Sequence, residues 1–280
     1  MPSMPRHNTY HRGFTLVEMV IIAPIMLIMI TVFIGLLVTI TGEVLVARTS
    51  NSMAYDTQAG LDMIEEDIRL SGSFLAENNT TISTPQGPTD TTGKFANIKN
   101  ATPAGTALIL NAIATSGGAN QSTREPVWLK DSPNSCTSAD KTQNQVMTYN
   151  IVYYIKSDNT LWRRVIMPAG YATKGCTTPR QVPTCTLGRT EAICKSEDTF
   201  VLSNVSGFSI NYFTSAGETS ALPSASSATA TAAVRQIELA SATTVKIDLA
   251  TTKPVAGQDI TYSSTLRATR IGSLIDYATP

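Results

Sequence analysis

The stretch Arg12-Gly13-Phe14-Thr15-Leu16-Val17-Glu18, followed by the uncharged run Met19 to Ile40, decides how the rest of the chain is arranged. At a helical rise of about 1.5 Å per residue this run spans roughly 33 Å, slightly more than the roughly 30 Å hydrocarbon core of a bilayer. It reads as a transmembrane helix at about residues 19–40. Its entry differs from that of a plain anchor, with a basic leader carrying Arg6 and Arg12, then a glycine, an aromatic residue and a single carboxylate, Glu18. A secretory signal places its small-residue cleavage site after the apolar run. Here the small residue at the basic-to-apolar junction, Gly13, precedes it, so cleavage after Gly13 leaves the hydrophobic helix on the mature chain.

In that context Gly13-Phe14-Thr15-Leu16-Val17-Glu18 resembles the type IV prepilin motif. The resemblance implies a prepilin peptidase that cuts on the cytoplasmic side after Gly13 and methylates the new N-terminus, Phe14. It also implies assembly through the N-terminal helix, with Glu18 pairing with the Phe14 amine of a neighbouring subunit. A charge well inside a bilayer costs several kcal/mol unless it snorkels or finds a partner, and the freed amine is such a partner. The bland alternative is that Glu18 marks the cytoplasmic interface of a single-pass anchor. One departure from the family lies in the run itself: Pro24 comes early and Gly35 occupies the later region, so a kink or melted turn is expected at a different place.

Composition narrows the function. The chain is 42% apolar but only 15% charged, against an average near 25%. Formal charge is zero, and loss of Arg6 and Arg12 with the leader leaves 19 of the 21 basic residues against 21 acidic ones. That balance gives no electrostatic footprint for nucleic acid, and no nucleic-acid partner is expected. Basic residues before the span and few charges soon after it place the N-terminus in the cytoplasm and everything beyond Ile40 outside. The four cysteines, Cys136, Cys176, Cys185 and Cys194, lie on that side. They lack the C-x-x-C spacing of a zinc site, so two disulfides are expected, with three connectivities open.

The helix is expected to continue past the membrane. No proline interrupts Thr41 to Leu70, Leu61, Ile64 and Ile68 recur on one face, and Ser71-Gly72-Ser73 supplies a stop. Asp62, Glu65, Glu66, Asp67 and Arg69 occupy the other faces and read as a solvated surface, with Glu65 and Arg69 in favourable i to i+4 order. A Ser/Thr/Asn/Gly/Pro-rich stretch then runs to about residue 145 and reads as long loops with one or two strands, notably at Ala107 to Ile113. Met147, Tyr149, Ile151, Tyr153 and Ile155 alternate, Ser157-Asp158-Asn159 turns, and Leu161 to Met167 returns, which is a hairpin. Phe200 to Phe213 is a strand region broken near Ser206-Gly207, and a low-complexity loop follows at Ser220 to Ala232. Val234 to Leu239, Thr244 to Leu249 and Ile260 to Ile271 complete an antiparallel set. Arg163 and Arg164 read as alternate faces of a strand edge.

The fold expected is therefore α+β and type IV pilin-like: a leader at 1–13, a long helix at 14–72 and a β-rich extracytoplasmic domain at 73–280. Leu61 to Gly72, the tyrosine-rich strand leading to Leu161-Trp162-Arg163-Arg164, Val205-Ser206-Gly207-Phe208 and Leu266-Arg267-Ala268-Thr269-Arg270 are similar to the W-type minor pilins and J-type pseudopilins. The family's arginine-asparagine ending of the last strand is not reproduced. This resemblance implies a structural subunit of a type IV pilus or a type II secretion filament, resident in the bacterial inner membrane before assembly and placed at a tip or in low copy. Its partners would be the prepilin peptidase, other major and minor pilins or pseudopilins, and the inner membrane. The competing class is an anchored binding domain, a surface adhesin or a DNA-uptake subunit, in which the helix only tethers. An anchored enzyme is disfavoured: no G-x-S-x-G, P-loop or H-E-x-x-H occurs, both histidines lie in the leader, and no cofactor or metal motif is present.

Overall fold

The computed structural model describes residues 15–78, 95–99, 103–117, 125–130, 136–137, 145–168, 170–185 and 196–271. One helix, α1 (Leu16–Leu70), runs unbroken through both Pro24 and Gly35. Pro24 withholds one backbone donor, yet a single missing bond in a helix this long leaves its neighbours to hold the axis. The hydroxyls of Thr31, Thr39 and Thr41 donate to the carbonyls of Leu27, Gly35 and Leu37 at 2.8, 3.0 and 2.7 Å, so the apolar half carries no unsatisfied hydroxyl there. The helix stops at Ser71, whose extended backbone leaves the helical region. The Ser71 N–H and hydroxyl both donate to the Ile68 carbonyl, the latter at 2.7 Å.

Beyond α1 come β1 (Ser71–Phe74), β2 (Ala107–Ile113), β3 (Thr148–Ile155), β4 (Leu161–Ile166), the short α2 (Tyr171–Lys174), β5 (Thr184–Cys185), β6 (Ser196–Glu197), β7 (Thr199–Leu202), β8 (Val205–Phe213), α3 (Ala232–Ser241), β9 (Thr244–Val255) and β10 (Gln258–Thr269). The larger sheet is antiparallel in the order β1-β2-β3-β4-β7, a second antiparallel sheet has the order β10-β9-β8, and β5 pairs with β6 in parallel. Alternation in β2 and β3 divides the larger sheet's two faces. Leu108, Leu110, Ile151, Tyr153 and Ile155 join Leu61, Ile64 and Ile68 of α1 in one core with Phe208, Ile210, Tyr212, Val245, Ile247 and Leu249 of the smaller sheet. Ile109, Val152 and Tyr154 face the other way and pack on Phe95. Both faces of the larger sheet are thus covered, which accounts for the near-continuous apolar sequence of β2.

The α+β class, the long helix, its buried Leu61/Ile64/Ile68 stripe and the β3–β4 hairpin match the expectations. The remaining differences are local. Val234 to Leu239 is helix, not strand: Thr231 caps α3 by accepting from the Val234 N–H, and buried Arg235 and Leu239 are one helical turn apart. Ser71-Gly72-Ser73 ends α1 but also opens β1, paired with β2. The interruption between β7 and β8 falls at Ser203-Asn204, where Asn204 takes a left-handed φ of 57°, whereas Ser206-Gly207 is a register shift against β9. The loop before α3 is tied down rather than free: Ala225 is fully buried and the Ser226 hydroxyl donates to the Ile210 carbonyl at 3.1 Å. Helix and sheet approach closely at Gly60, where a Cβ would stand 3.1 Å from Val201 Cγ1.

Candidate assembly and anchoring site

Thr15 and Glu18 form a reciprocal cap at the head of α1. The Glu18 carboxylate accepts from the Thr15 N–H at 3.0 Å and from its hydroxyl at 2.9 Å, while the Glu18 N–H donates to Thr15 Oγ1 at 3.3 Å. This capping box satisfies two of the helix's orphan donors and sets a negative charge against the positive end of the helix dipole. Glu18 is exposed and has no cationic partner among the described residues. Gly13 and Phe14, the expected processing site, lie outside the described residues.

From Thr15 to Thr41 every residue of α1 is exposed. The large apolar side chains are bare on all sides of the helix: Ile21, Leu27, Ile28, Phe33 and Val38, for example, are each between 57% and 67% exposed. This half is long and apolar enough to cross a membrane. Farther along, α1 meets the sheets at buried Met53, Thr57, Gly60, Leu61, Ile64, Asp67 and Ile68. One continuous helix therefore joins a bare apolar stalk to a packed head.

Two ion pairs brace β4, one of them to the packed half of α1. Arg163 forks onto Asp67 of α1, Nε to Oδ2 at 2.6 Å and Nη2 to Oδ1 at 3.0 Å, and the Tyr153 hydroxyl donates to the same carboxylate. Burial alone would lower the Arg163 pKa, but the hydrogen bonds and charge of Asp67 outweigh it and hold the guanidinium above its ordinary value. Burial, reinforced by the Asp67 charge, pushes Tyr153 well up. On the opposite face Arg164 forks onto Asp198 at 2.8 and 2.5 Å, and Asp198 also accepts from the Tyr154 hydroxyl at 2.5 Å and the Thr184 hydroxyl at 2.9 Å. Arg163 and Arg164 do occupy alternate faces, but β4 is no edge: it lies between β3 and β7, with Arg164 fully enclosed and Arg163 half-buried.

Asp67 likewise leaves the solvated surface expected of its acidic neighbours, being 8% exposed. Its place seven residues after Gly60 and three after Ile64, on the buried stripe, is the signal that finds it. Glu65 and Arg69 pair at 3.6 Å on the exposed side, as their spacing implies. Of the cysteines, Cys136 and Cys176 are joined in a disulfide. Cys194 and the side chain of Cys185 lie outside the described residues. No group of three or more metal-ligating side chains occurs among the described residues. The chain matches no protein-family model, no curated protein and no solved structure.

Proposed function

We propose that the chain is a minor pilin or pseudopilin, a structural subunit of a type IV pilus or a related secretion filament. It is held in the inner membrane by the first half of α1, processed after Gly13, and drawn into a filament through the same helix. The observation that carries this reading is the bare apolar half of α1, continuous with a half that is packed into the head. Each large apolar side chain left in water forgoes about 1.5–3 kcal/mol, so this half requires lipid, other helices, or each in turn. Glu18 caps the helix in a tether as well as in a subunit. In a subunit that leaves lipid for a helical bundle it gains a second use, exchanging its Thr15 partner for the amine freed on a neighbour.

The rest of the reading follows from the resemblance of the Gly13–Glu18 motif: a prepilin peptidase as processing partner, methylation of Phe14, and other pilins or pseudopilins as assembly partners. Substitution of Gly13 by a bulky residue is expected to leave an uncleaved precursor of unchanged size on a gel, with the head folded. Undiminished processing of that variant would remove the peptidase assignment.

A further inference from the structure

The head meets α1 just above the apolar run. Gly42 is half-buried, cover becomes more regular at half-buried Val46, Thr49 and Ser50, and Met53 is the first buried residue. The β9–β10 hairpin borders this part of α1, with Thr251 within 3.5 Å of Thr57 and a tight turn at Ala256-Gly257. Between helix and hairpin lies a groove of about 240 Å³ whose polar lining includes Arg48, Thr49, Ser52, Asp56, Thr251 and Lys253. Its acidic member, Asp56, accepts from the Ser52 hydroxyl at 3.4 Å. The side chains of Arg48 and Lys253 make no hydrogen bond or ion pair to any described residue, so the groove carries surplus positive charge together with hydroxyl donors.

Arg48 stands about 12 Å beyond Ile40 along the helix. The headgroup layer extends roughly 5–7 Å outside the hydrocarbon core, and a long cationic side chain bends back toward it to snorkel. We propose that this groove binds the phosphate of an anionic phospholipid in the outer leaflet and seats the head on the membrane before assembly. The inference rests on the membrane-anchored reading above. Arg48 offers planar paired donors to a phosphate, Lys253 closes on it from the hairpin, and the half-buried Thr49 supplies a neutral hydroxyl donor.

The test uses the full chain in nanodiscs of phosphatidylcholine with or without phosphatidylglycerol, and in detergent with inorganic phosphate. Acetylation of Lys253 is followed by mass spectrometry against exposed Lys130. With phosphatidylglycerol, Lys253 should react about fivefold more slowly than in pure phosphatidylcholine, the gain of one cation at an anionic surface, and Arg48→Gln should abolish the difference. Equal rates in both bilayers, or protection that survives Arg48→Gln, would overturn the proposal. Protection by inorganic phosphate in detergent would assign the groove to a free anion instead and overturn the lipid assignment. Flotation with vesicles after alkaline wash separates the two readings: a chain that fails to float refutes the anchor, whereas one that floats with Lys253 unprotected refutes only the groove.

Discussion

Replacing Asp67 by Ala leaves the Arg163 guanidinium enclosed between α1 and β4 without its counter-charge. The two side chains are 12% and 22% exposed, close to a buried pair but not sealed from water. Removing one partner of a fully buried pair costs about 3–5 kcal/mol, and the residual exposure places this case near the lower end, about 3 kcal/mol. The Tyr153 hydroxyl contributes little to the loss, because the Met63 carbonyl at 3.2 Å remains as an acceptor. Equilibrium urea unfolding of the full chain in micelles, followed by the fluorescence of Trp162 beside Arg163 on β4, reads this cost. The double replacement Asp67→Leu with Arg163→Met substitutes apolar contact for the pair and should recover most of the stability, to within about 1 kcal/mol of the parent. A loss below about 1 kcal/mol in Asp67→Ala, the value of an exposed pair, would refute the clamp.

Alkaline pH offers an independent check on the core. Burial first, and the Asp67 charge second, push Tyr149 up to about 12, and burial also raises Tyr153, Tyr154 and Tyr212. A folded pKa above the unfolded value of about 10 means that the native state holds these protons more tightly. Their contribution is complete below pH 10 and is lost as pH rises toward and past 12. Absorbance at 295 nm should therefore show four of the nine tyrosines resisting ionisation at pH 11 until the fold melts, and full ionisation without unfolding would contradict their burial. The Cys136–Cys176 disulfide closes a separation of 40 residues, so the Cys136→Ser/Cys176→Ser variant should lose about 2–4 kcal/mol by urea titration, with an unchanged midpoint as the contrary result.

What the sequence makes legible follows physical range. α1, its stripe and the β3–β4 hairpin are local patterns repeated over many residues, so period and turn chemistry suffice. Val234 to Leu239 is too short for that: Ile237 and Leu239 alternate as a strand would, and only the Thr231 cap and the Arg235/Leu239 spacing reveal the helix. The partners of Arg163 and Arg164 lie 96 and 34 residues away, on a helix and at the junction between β6 and β7, and no local pattern announces them. Asp67 is hidden by its acidic neighbours although its helical position already places it inward. Of the candidate site, Glu18 and the apolar run are legible because motif and hydropathy are contiguous. The Arg48–Lys253 groove is not, because it forms only when the β9–β10 hairpin meets the helix.

Incorporation of Glu18 variants into sheared filaments tests the central claim most directly. Glu18→Gln retains a side-chain oxygen to accept from Thr15 and so preserves the cap, while removing the charge available to a neighbour's amine. Glu18→Ala removes both. Membrane fractions should contain either variant at parental levels, because the apolar run is intact. Filaments sheared from cells should contain neither variant. Glu18→Gln or Glu18→Ala entering filaments as efficiently as the parent would contradict assembly through this carboxylate and leave the helix a tether.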